Sequence, residues 1–268
     1  MQHILDVAPG VSLYYTVDDF TDPWTPAKTV ILVHGFAESG EAWRGWVPHL
    51  SRDYRVVRLD QRGFGRSTAM ARDFAWSLDI LSGDLVRLIE TVTPTARRPV
   101  HVVAAKIAGP VAIRTATARP DLVATLTLVG TPVVGPNGAG WIEHIDTKGV
   151  RDWAETTMDA RMGSAMPAEA KRWWIELTAR TQASTMLGFL AAAPAIDVRA
   201  ELTRLACPCL VFTSDTRRHP LTEVQAWQRT IRHSELSVVP GDAYHSAAAM
   251  PDHCAAVTRA FLRRHDQS

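Results

Sequence analysis

The chain has 268 residues, 46% of them hydrophobic, and its 29 basic and 28 acidic side chains leave a formal charge of +1. This length suits one α/β domain that carries a small insertion. The balanced charge provides neither a basic stripe for nucleic acid nor a polybasic tract for an anionic membrane. We therefore expect a protein that acts on a small molecule, with no nucleic-acid or membrane partner.

The amino-terminal residues show neither a basic start nor an apolar stretch of signal-peptide length, and no apolar run approaches a membrane span. We therefore expect a cytoplasmic protein. The cysteines Cys207, Cys209 and Cys254 are odd in number, and no further Cys or His lies nearby at zinc spacing. Buried thiols are predicted, with no disulfide framework and no metal site.

Six short runs rich in Val, Ile and Leu alternate with amphipathic segments along the chain. Each run is nearly continuous in apolar residues, which is typical of parallel strands covered by helices on both faces. The amphipathic segments have the length of crossover helices. The sequence therefore predicts the α/β class, with a doubly wound, mostly parallel sheet. The predicted strands are Thr29–His34, Tyr54–Leu59, Val100–Ala104, Ala124–Val129, Cys209–Thr213 and Glu235–Val239, and the predicted helices are Leu78–Thr91, Gly109–Ala118, Leu221–Ile231 and Asp252–Arg264.

One interval, Trp141–Ala195, contains no convincing strand and several tryptophans among charged and apolar residues. We predict a helical cap inserted into the α/β core. Packing of cap helices against each other is the simpler role for the tryptophans, and lining a ligand pocket between cap and core is the functional alternative for Trp141 and Trp153. The predicted boundaries are 134–196 for the cap and 1–133 with 197–268 for the core.

Two motifs follow the first two predicted strands. The first, VILVHGF, is a buried strand that ends in His-Gly and reaches Phe36, and the second, DQRGFGRS, begins at Asp60. Together they resemble the α/β-hydrolase fold family. The first is similar to its oxyanion-hole strand, and the second to the D-x-R-G-x-G-x-S loop of its epoxide-hydrolase, enol-lactonase and meta-cleavage-product-hydrolase branches. The resemblance extends almost end to end and weakens in the cap. It implies an α/β-hydrolase fold with the backbone N–H groups of Phe36 and Ile107 in an oxyanion hole.

The nucleophile elbow of that family, G-x-S-x-G, lies on a tight turn between a strand and a helix. The corresponding stretch here reads VVAAKIAG, so that Lys106 stands where the family has serine, cysteine or aspartate. Ala104 and Ala108 keep small residues two positions before and after it. The sequence thus predicts that the architecture of the elbow is kept while its nucleophile is changed.

The family's catalytic histidine corresponds to His245 in the stretch PGDAYH, where Tyr244 replaces a common glycine. The usual position of the acid that orients this histidine holds Arg217, and the alternative position after the fourth predicted strand holds Thr131. Asp215 is the remaining carboxylate of the late loop and is our candidate for orienting His245.

Three roles are open for Lys106, whose amine extends roughly 4 Å further into a pocket than a serine oxygen would. As a neutral amine, favoured by burial, it would attack a carbonyl or act as base, with His245 as proton shuttle. As a cation it would stabilise an enolate or carboxylate in a lyase-type or isomerase-type reaction, with His245 as base. In a noncatalytic ligand-binding protein it would form a structural ion pair, and Glu38 is a candidate partner.

We predict a cofactor-independent enzyme of the hydrolase superfamily that acts on a small, largely apolar ester, lactone or β-dicarbonyl compound. Lys106 would be its atypical nucleophile or base, and His245 its general base or acid. A monomer or homodimer is expected. The candidate pocket residues are Glu38, Trp141, Trp153 and Tyr244.

Overall fold

We describe a computed structural model, which covers residues 1–93, 99–217 and 219–266. Eight strands form one sheet in the order β1-β2-β4-β3-β5-β6-β7-β8. The strands from β3 to β8 are parallel, whereas β2 pairs in antiparallel fashion with β1 and β4. The predicted mostly parallel sheet is confirmed. The strands are β1 (Gln2–Ala8), β2 (Val11–Asp18), β3 (Thr29–Val33), β4 (Arg55–Asp60), β5 (Val100–Ala105), β6 (Val123–Val129), β7 (Cys209–Thr213) and β8 (Ser234–Val238).

The antiparallel hairpin β1–β2 was not predicted from the sequence. Leu13, Tyr15 and Val17 of β2 are buried, and the residues between them are half-buried. Such alternation is typical of an antiparallel strand with one face on the core. Continuous apolar runs in the sequence therefore do not mark this strand.

Helices cover both faces of the sheet. On one face, Ile31 and Val102 belong to an apolar cluster with Leu85 and Val111 of two flanking helices. On the other face, Leu32 belongs to a second cluster, which includes residues of the carboxyl-terminal helix. The doubly wound arrangement is thus confirmed. The helices are α1 (Val47–Leu50), α2 (Leu78–Val92), α3 (Ala108–Ala118), α4 (Ala139–Met162), α5 (Ala168–Ala179), α6 (Ala183–Ala192), α7 (Arg199–Leu202), α8 (Leu221–Gln228), α9 (Ser246–Ala249) and α10 (Pro251–His265), with short 3₁₀ helices at Gly40–Trp43 and Ala193–Ala195.

The segment between β6 and β7 is helical, as predicted. Its first helix, α4, is kinked at Gly149, whose φ is 87°. Trp153 of α4 is fully buried in an apolar cluster with Ala37, so that the helices pack on the loop after β3. An isolated antiparallel bridge joins Val134 to Asp197 at the base of the segment. The division of the chain into core and cap remains a prediction.

None of the helices in the described parts of the chain is long and apolar enough to cross a bilayer.

Candidate active site

The candidate site lies at the edge where the parallel strands end. The loop after β3 carries Glu38, the turn after β5 carries Lys106, and the loop that follows β8 carries His245. In doubly wound sheets, ligands bind in the crevice outside these carboxyl ends. The topology therefore gathers three residues that are far apart in sequence.

Lys106 occupies a tight turn between β5 and α3. Its φ is 52°, in the left-handed region that residues other than glycine seldom adopt. Its backbone N–H donates to the carbonyl of Val129 at 2.8 Å, and its carbonyl accepts from the N–H of Gly109 at 2.9 Å. A Cβ atom at Gly109 would overlap the side chain of Thr131. Close packing of α3 on the end of β6 therefore holds the unfavourable backbone conformation in place.

The loop after β3 folds back on itself around Glu38. The N–H of Gly35 donates to Oε2 of Glu38 at 3.1 Å, and Ala37 has a positive φ of 58°. A Cβ at Gly35 would overlap Cε of Lys106. Only glycine thus lets the lysine side chain run this close to the loop.

Glu38, Lys106 and His245 form a buried charged cluster, with 2%, 7% and 3% of their surfaces exposed. The ammonium of Lys106 is paired with Oε1 of Glu38. Nε2 of His245 lies 3.1 Å from that same oxygen, which is an ion-pair distance, although neither ring nitrogen forms a well-aligned hydrogen bond with any described residue. One carboxylate oxygen is therefore shared by the amine and the imidazole.

The charges of this cluster fix two ionisation states. Burial raises the pKa of Glu38, but the charge of Lys106 and then the proximity of His245 outweigh it and hold that pKa well below 4.5. Burial lowers the pKa of His245 below 6.5, and the charge of Lys106 lowers it further, against the opposing effect of Glu38. At neutral pH the structure thus places an ionised carboxylate beside a neutral imidazole.

A cavity of about 420 Å³ adjoins the cluster. Of the three cluster residues, Lys106 lines it, whereas Glu38 and His245 do not. The Nζ atom of Lys106 lies 5.7 Å from the centre of the Tyr244 ring. Besides Lys106, the cavity is lined by Phe36, Ile107, Trp141, Arg161, Glu223, Tyr244 and mostly apolar residues that follow β6.

The predicted pocket residues fall into two groups. Trp141 and Tyr244 line the cavity, as does the residue pair Phe36 and Ile107 that the resemblance assigned to an oxyanion hole. Trp153 does not line it. Its ring packs edge-on against Trp141 and Phe36, with centroids 5.9 and 5.8 Å apart.

The structure does not bring Asp215 to His245. Asp215 is exposed, and its Oδ1 accepts a hydrogen bond of 3.0 Å from the N–H of Leu221, at the start of α8. Within the described residues, Nδ1 of His245 has no hydrogen-bond partner at all. Asp215 therefore serves as the acceptor for one of the N–H groups that have no partner within the first turn of α8.

Sequence reasoning missed Arg161. This residue of α4 is buried and lines the cavity, with its Cζ 4.1 Å from the centre of the Trp153 ring. No spacing or motif in the sequence marks it, since its position depends on how α4 packs over the sheet.

Across the described ranges, no group of three or more His, Cys, Asp or Glu side chains is arranged to hold a metal ion. The thiols of Cys209 and Cys254 are buried, and that of Cys207 is partly buried. None of the three is in a disulfide.

Comparisons with known proteins agree with this architecture. Solved structures of an esterase from Thermogutta terrifontis and of the enol-lactonase from Burkholderia xenovorans LB400 superpose with TM-scores of 0.86 and 0.85, at 22% and 18% sequence identity. The first covers 99% of both chains, and the second covers 95% of this chain and 97% of the enol-lactonase. These likenesses concern the fold.

Curated relatives match over shorter segments. The chain is 36% identical over 104 residues to a pimeloyl-[acyl-carrier protein] methyl ester esterase of Methylococcus capsulatus, which is 38% of this chain and 37% of that protein. It is 33% identical over 127 residues to epoxide hydrolase B of Mycobacterium tuberculosis, which is 47% of this chain and 34% of that protein. The matches thus span little more than a third of these relatives' lengths. The family model of the alpha/beta hydrolase fold matches residues 28–248, most of the sequence. The chain therefore belongs to the α/β-hydrolase family.

Proposed function

We propose that the chain is a hydrolase-type enzyme for a small, largely apolar ester or lactone, in which Lys106 meets the substrate carbonyl as an ammonium ion. The observation that carries the proposal is the position of Lys106. Its side chain lines the cavity, and its amine is paired with the carboxylate oxygen that His245 also approaches. Family membership and the esterase, epoxide-hydrolase and enol-lactonase relatives support the hydrolase class.

The charge state of Lys106 follows from its partner. Lys106 and Glu38 are in direct contact and almost fully buried, and opposite charges in contact stabilise each other's charged forms. A neutral lysine would leave the Glu38 carboxylate buried beside His245 without its main counter-charge, which is costly. Of the two catalytic roles open from the sequence, the contacts thus favour the cation over the neutral nucleophile.

An ammonium at this turn supplies what hydrolysis requires at the carbonyl oxygen. When water adds to the carbonyl carbon, negative charge develops on that oxygen, and fixed positive charge and N–H donors in a dry site stabilise it. The backbone N–H groups of Phe36 and Ile107 donate no hydrogen bond to any described residue, and both residues line the cavity. We infer that these two groups and Lys106 together hold the developing oxyanion.

His245 is the base of the proposal. Its pKa is lowered, so that its imidazole is neutral at pH 7 and can accept a proton. Because His245 does not line the cavity and an ammonium has no lone pair to accept a proton, we infer that a second water molecule carries the proton of the attacking water to the imidazole while Lys106 keeps its charge. The same proton then returns to the leaving alcohol oxygen as the C–O bond breaks. No acyl group is attached to the protein in this route.

A noncatalytic ligand-binding role is the second candidate, and one observation favours it. Nδ1 of His245 has no acceptor among the described residues, whereas catalytic histidines of this fold are normally oriented by a carboxylate. A binding protein would retain the cavity and the ion pair without turnover.

A panel of short-chain esters and lactones tests the proposal with wild type, K106M, K106R and H245Q. The expected result is hydrolysis that falls at least about 10²-fold in K106M, the usual effect of losing an oxyanion donor, and that K106R partly restores. The exposed R172Q serves as control, since Arg172 lies on the surface and is paired with Glu169. Borohydride is added during turnover, and peptides are mapped by mass.

Three outcomes contradict the proposal. A reduced adduct on Lys106 would show a neutral amine that attacks the substrate. Equal rates in K106M and wild type would remove the lysine from the reaction. Ligand binding that changes in K106M and H245Q, with no turnover of any panel member by wild type, would favour the binding protein.

A further inference from the structure

Arg161 is a buried cation, and none of the residues that the structure describes places a carboxylate beside it. It lies in the last turn of α4, only 4% of its surface is exposed, and it lines the same cavity as Lys106. Within residues 1–93, 99–217 and 219–266 its guanidinium forms no ion pair and no hydrogen bond, and its Nε is buried without a partner.

Two contacts stabilise part of this charge. The guanidinium stacks on Trp153 at 4.1 Å from the ring centre, and the carboxyl-terminal end of a helix favours a cation. Neither contact supplies an acceptor for the N–H groups. A buried guanidinium normally satisfies its planar fork of donors with a carboxylate or phosphate, and the described residues provide none here.

The charges around the cavity indicate what kind of anion fits. Two cations, Lys106 and Arg161, line the cavity. The charge of Lys106 is balanced by Glu38, whereas the charge of Arg161 is not balanced by a described carboxylate. Glu223, an exposed residue, also lines the cavity and opposes the entry of a doubly charged group. A singly charged, planar carboxylate matches both the net charge and the shape of the guanidinium better than a phosphate dianion does.

We propose that Arg161 binds a carboxylate group of the substrate, while the reacting carbonyl of the same molecule lies against Lys106. The substrates would then be small esters or lactones that carry a free carboxylate. This inference rests on the proposed function for the reacting group, but the anion site itself does not depend on turnover.

Binding of benzoate and of the uncharged benzamide, measured by titration calorimetry and by tryptophan fluorescence, tests the site without any reaction. The two probes have nearly the same shape and differ in charge. Wild type is expected to bind benzoate at least about tenfold more tightly, which corresponds to one charge-assisted hydrogen-bonded contact. Because Trp153 stacks on Arg161, benzoate should also change the tryptophan emission.

The variants R161Q, R161K and R172Q complete the test. R161Q should lose the preference for benzoate, R161K should keep part of it through its charge, and the exposed control R172Q should match wild type. Circular dichroism reports whether each variant is folded. If R161Q is unfolded, the comparison of R161K with wild type tests the site instead. A wild type that binds both probes equally, or an R161Q that retains the preference, would overturn the site.

Measurements of ester turnover distinguish the proposed hydrolysis from the proposed carboxylate site at Arg161. If esters are hydrolysed, R161Q should raise KM for an ester that carries a free carboxylate. This increase should be about tenfold larger than for the same ester with a neutral carboxamide in place of the carboxylate. If no ester is hydrolysed but benzoate binding depends on Arg161, the anion site stands and the proposed hydrolysis fails. Equal effects of R161Q on both substrates would count against the carboxylate contact.

Discussion

Lys106 and His245 approach the same oxygen atom, Oε1 of Glu38, from two different loops of the sheet edge. Since this oxygen belongs to an ionised and almost fully buried carboxylate, both nitrogen groups feel its charge. Glu38 therefore holds the lysine side chain in place and also affects the pKa of the histidine.

Removal of the charge of Glu38 should destabilise the fold. In E38Q the ammonium of Lys106 remains buried without its carboxylate, and breaking a buried ion pair in this way costs about 3–5 kcal/mol. Urea unfolding at pH 7 measures the change. E169Q is the matched control, because Glu169 makes an exposed surface pair with Arg172, which water and salt screen, so its loss should change the stability far less. Equal midpoints for the two variants would contradict the buried pair.

The double variant E38Q/K106M tests whether the cost of E38Q arises from the stranded lysine. Replacement of both partners by uncharged groups removes the unpaired charge, so that the double variant should be more stable than E38Q alone. A double variant that is less stable by the sum of both single changes would show that Glu38 and Lys106 contribute independently.

The stability of wild type should fall more steeply with acid than that of H245Q. The pKa of His245 is below 6.5 in the folded state. Between pH 7 and pH 5 the unfolded chain therefore protonates this imidazole more readily than the folded chain does. This contribution is lost as pH falls through that range. Unfolding at pH 7 and pH 5 measures it, and the buried His34, whose pKa is also lowered, cancels because both proteins contain it. An identical pH dependence of the two proteins would mean that the imidazole titrates normally.

Much of the fold could be predicted from the sequence because it depends on local patterns. Continuous apolar runs marked β3 to β8, and VVAAKIAG marked a turn that places Lys106 at positive φ. The hairpin β1–β2 was missed because neither of its strands is a continuous apolar run. Many residues of this hairpin are exposed or half-buried, as expected for a hairpin at the edge of a sheet.

The site could be predicted only where a motif points to it. Lys106 and His245 lie on motif loops, and Glu38 follows His-Gly in the sequence, so that their meeting was foreseeable. Asp215 shows the limit, because its carboxylate accepts from the first N–H group of α8, and only three-dimensional packing decides which way a loop side chain turns. Arg161 was not foreseeable, since a charged residue in a helix normally faces solvent.

Substitution of Gly35 should disturb the lysine rather than the fold. A Cβ at this position overlaps Cε of Lys106, which lies near the end of a flexible side chain and can move aside. G35A should therefore lower kcat on a hydrolysed ester, while its free energy of unfolding falls by less than that of E38Q, because the shifted lysine keeps its charge opposite Glu38. G83A is the control, because an added methyl group at this exposed helix position meets no atom within 4 Å and should stabilise by about 0.5–1 kcal/mol. Unchanged kcat in G35A would mean that the lysine position is not critical.

The charge state of the amine at position 106 tests the central claim most directly. Nitrogen-15 NMR of protein labelled at lysine side chains, compared with K106M, identifies the resonance of this one amine. We predict the chemical shift and three-proton coupling of an ammonium at pH 7 in wild type, and the loss of that signal in K106M. A resonance with the shift of a neutral amine at pH 7 would contradict the cationic role of Lys106.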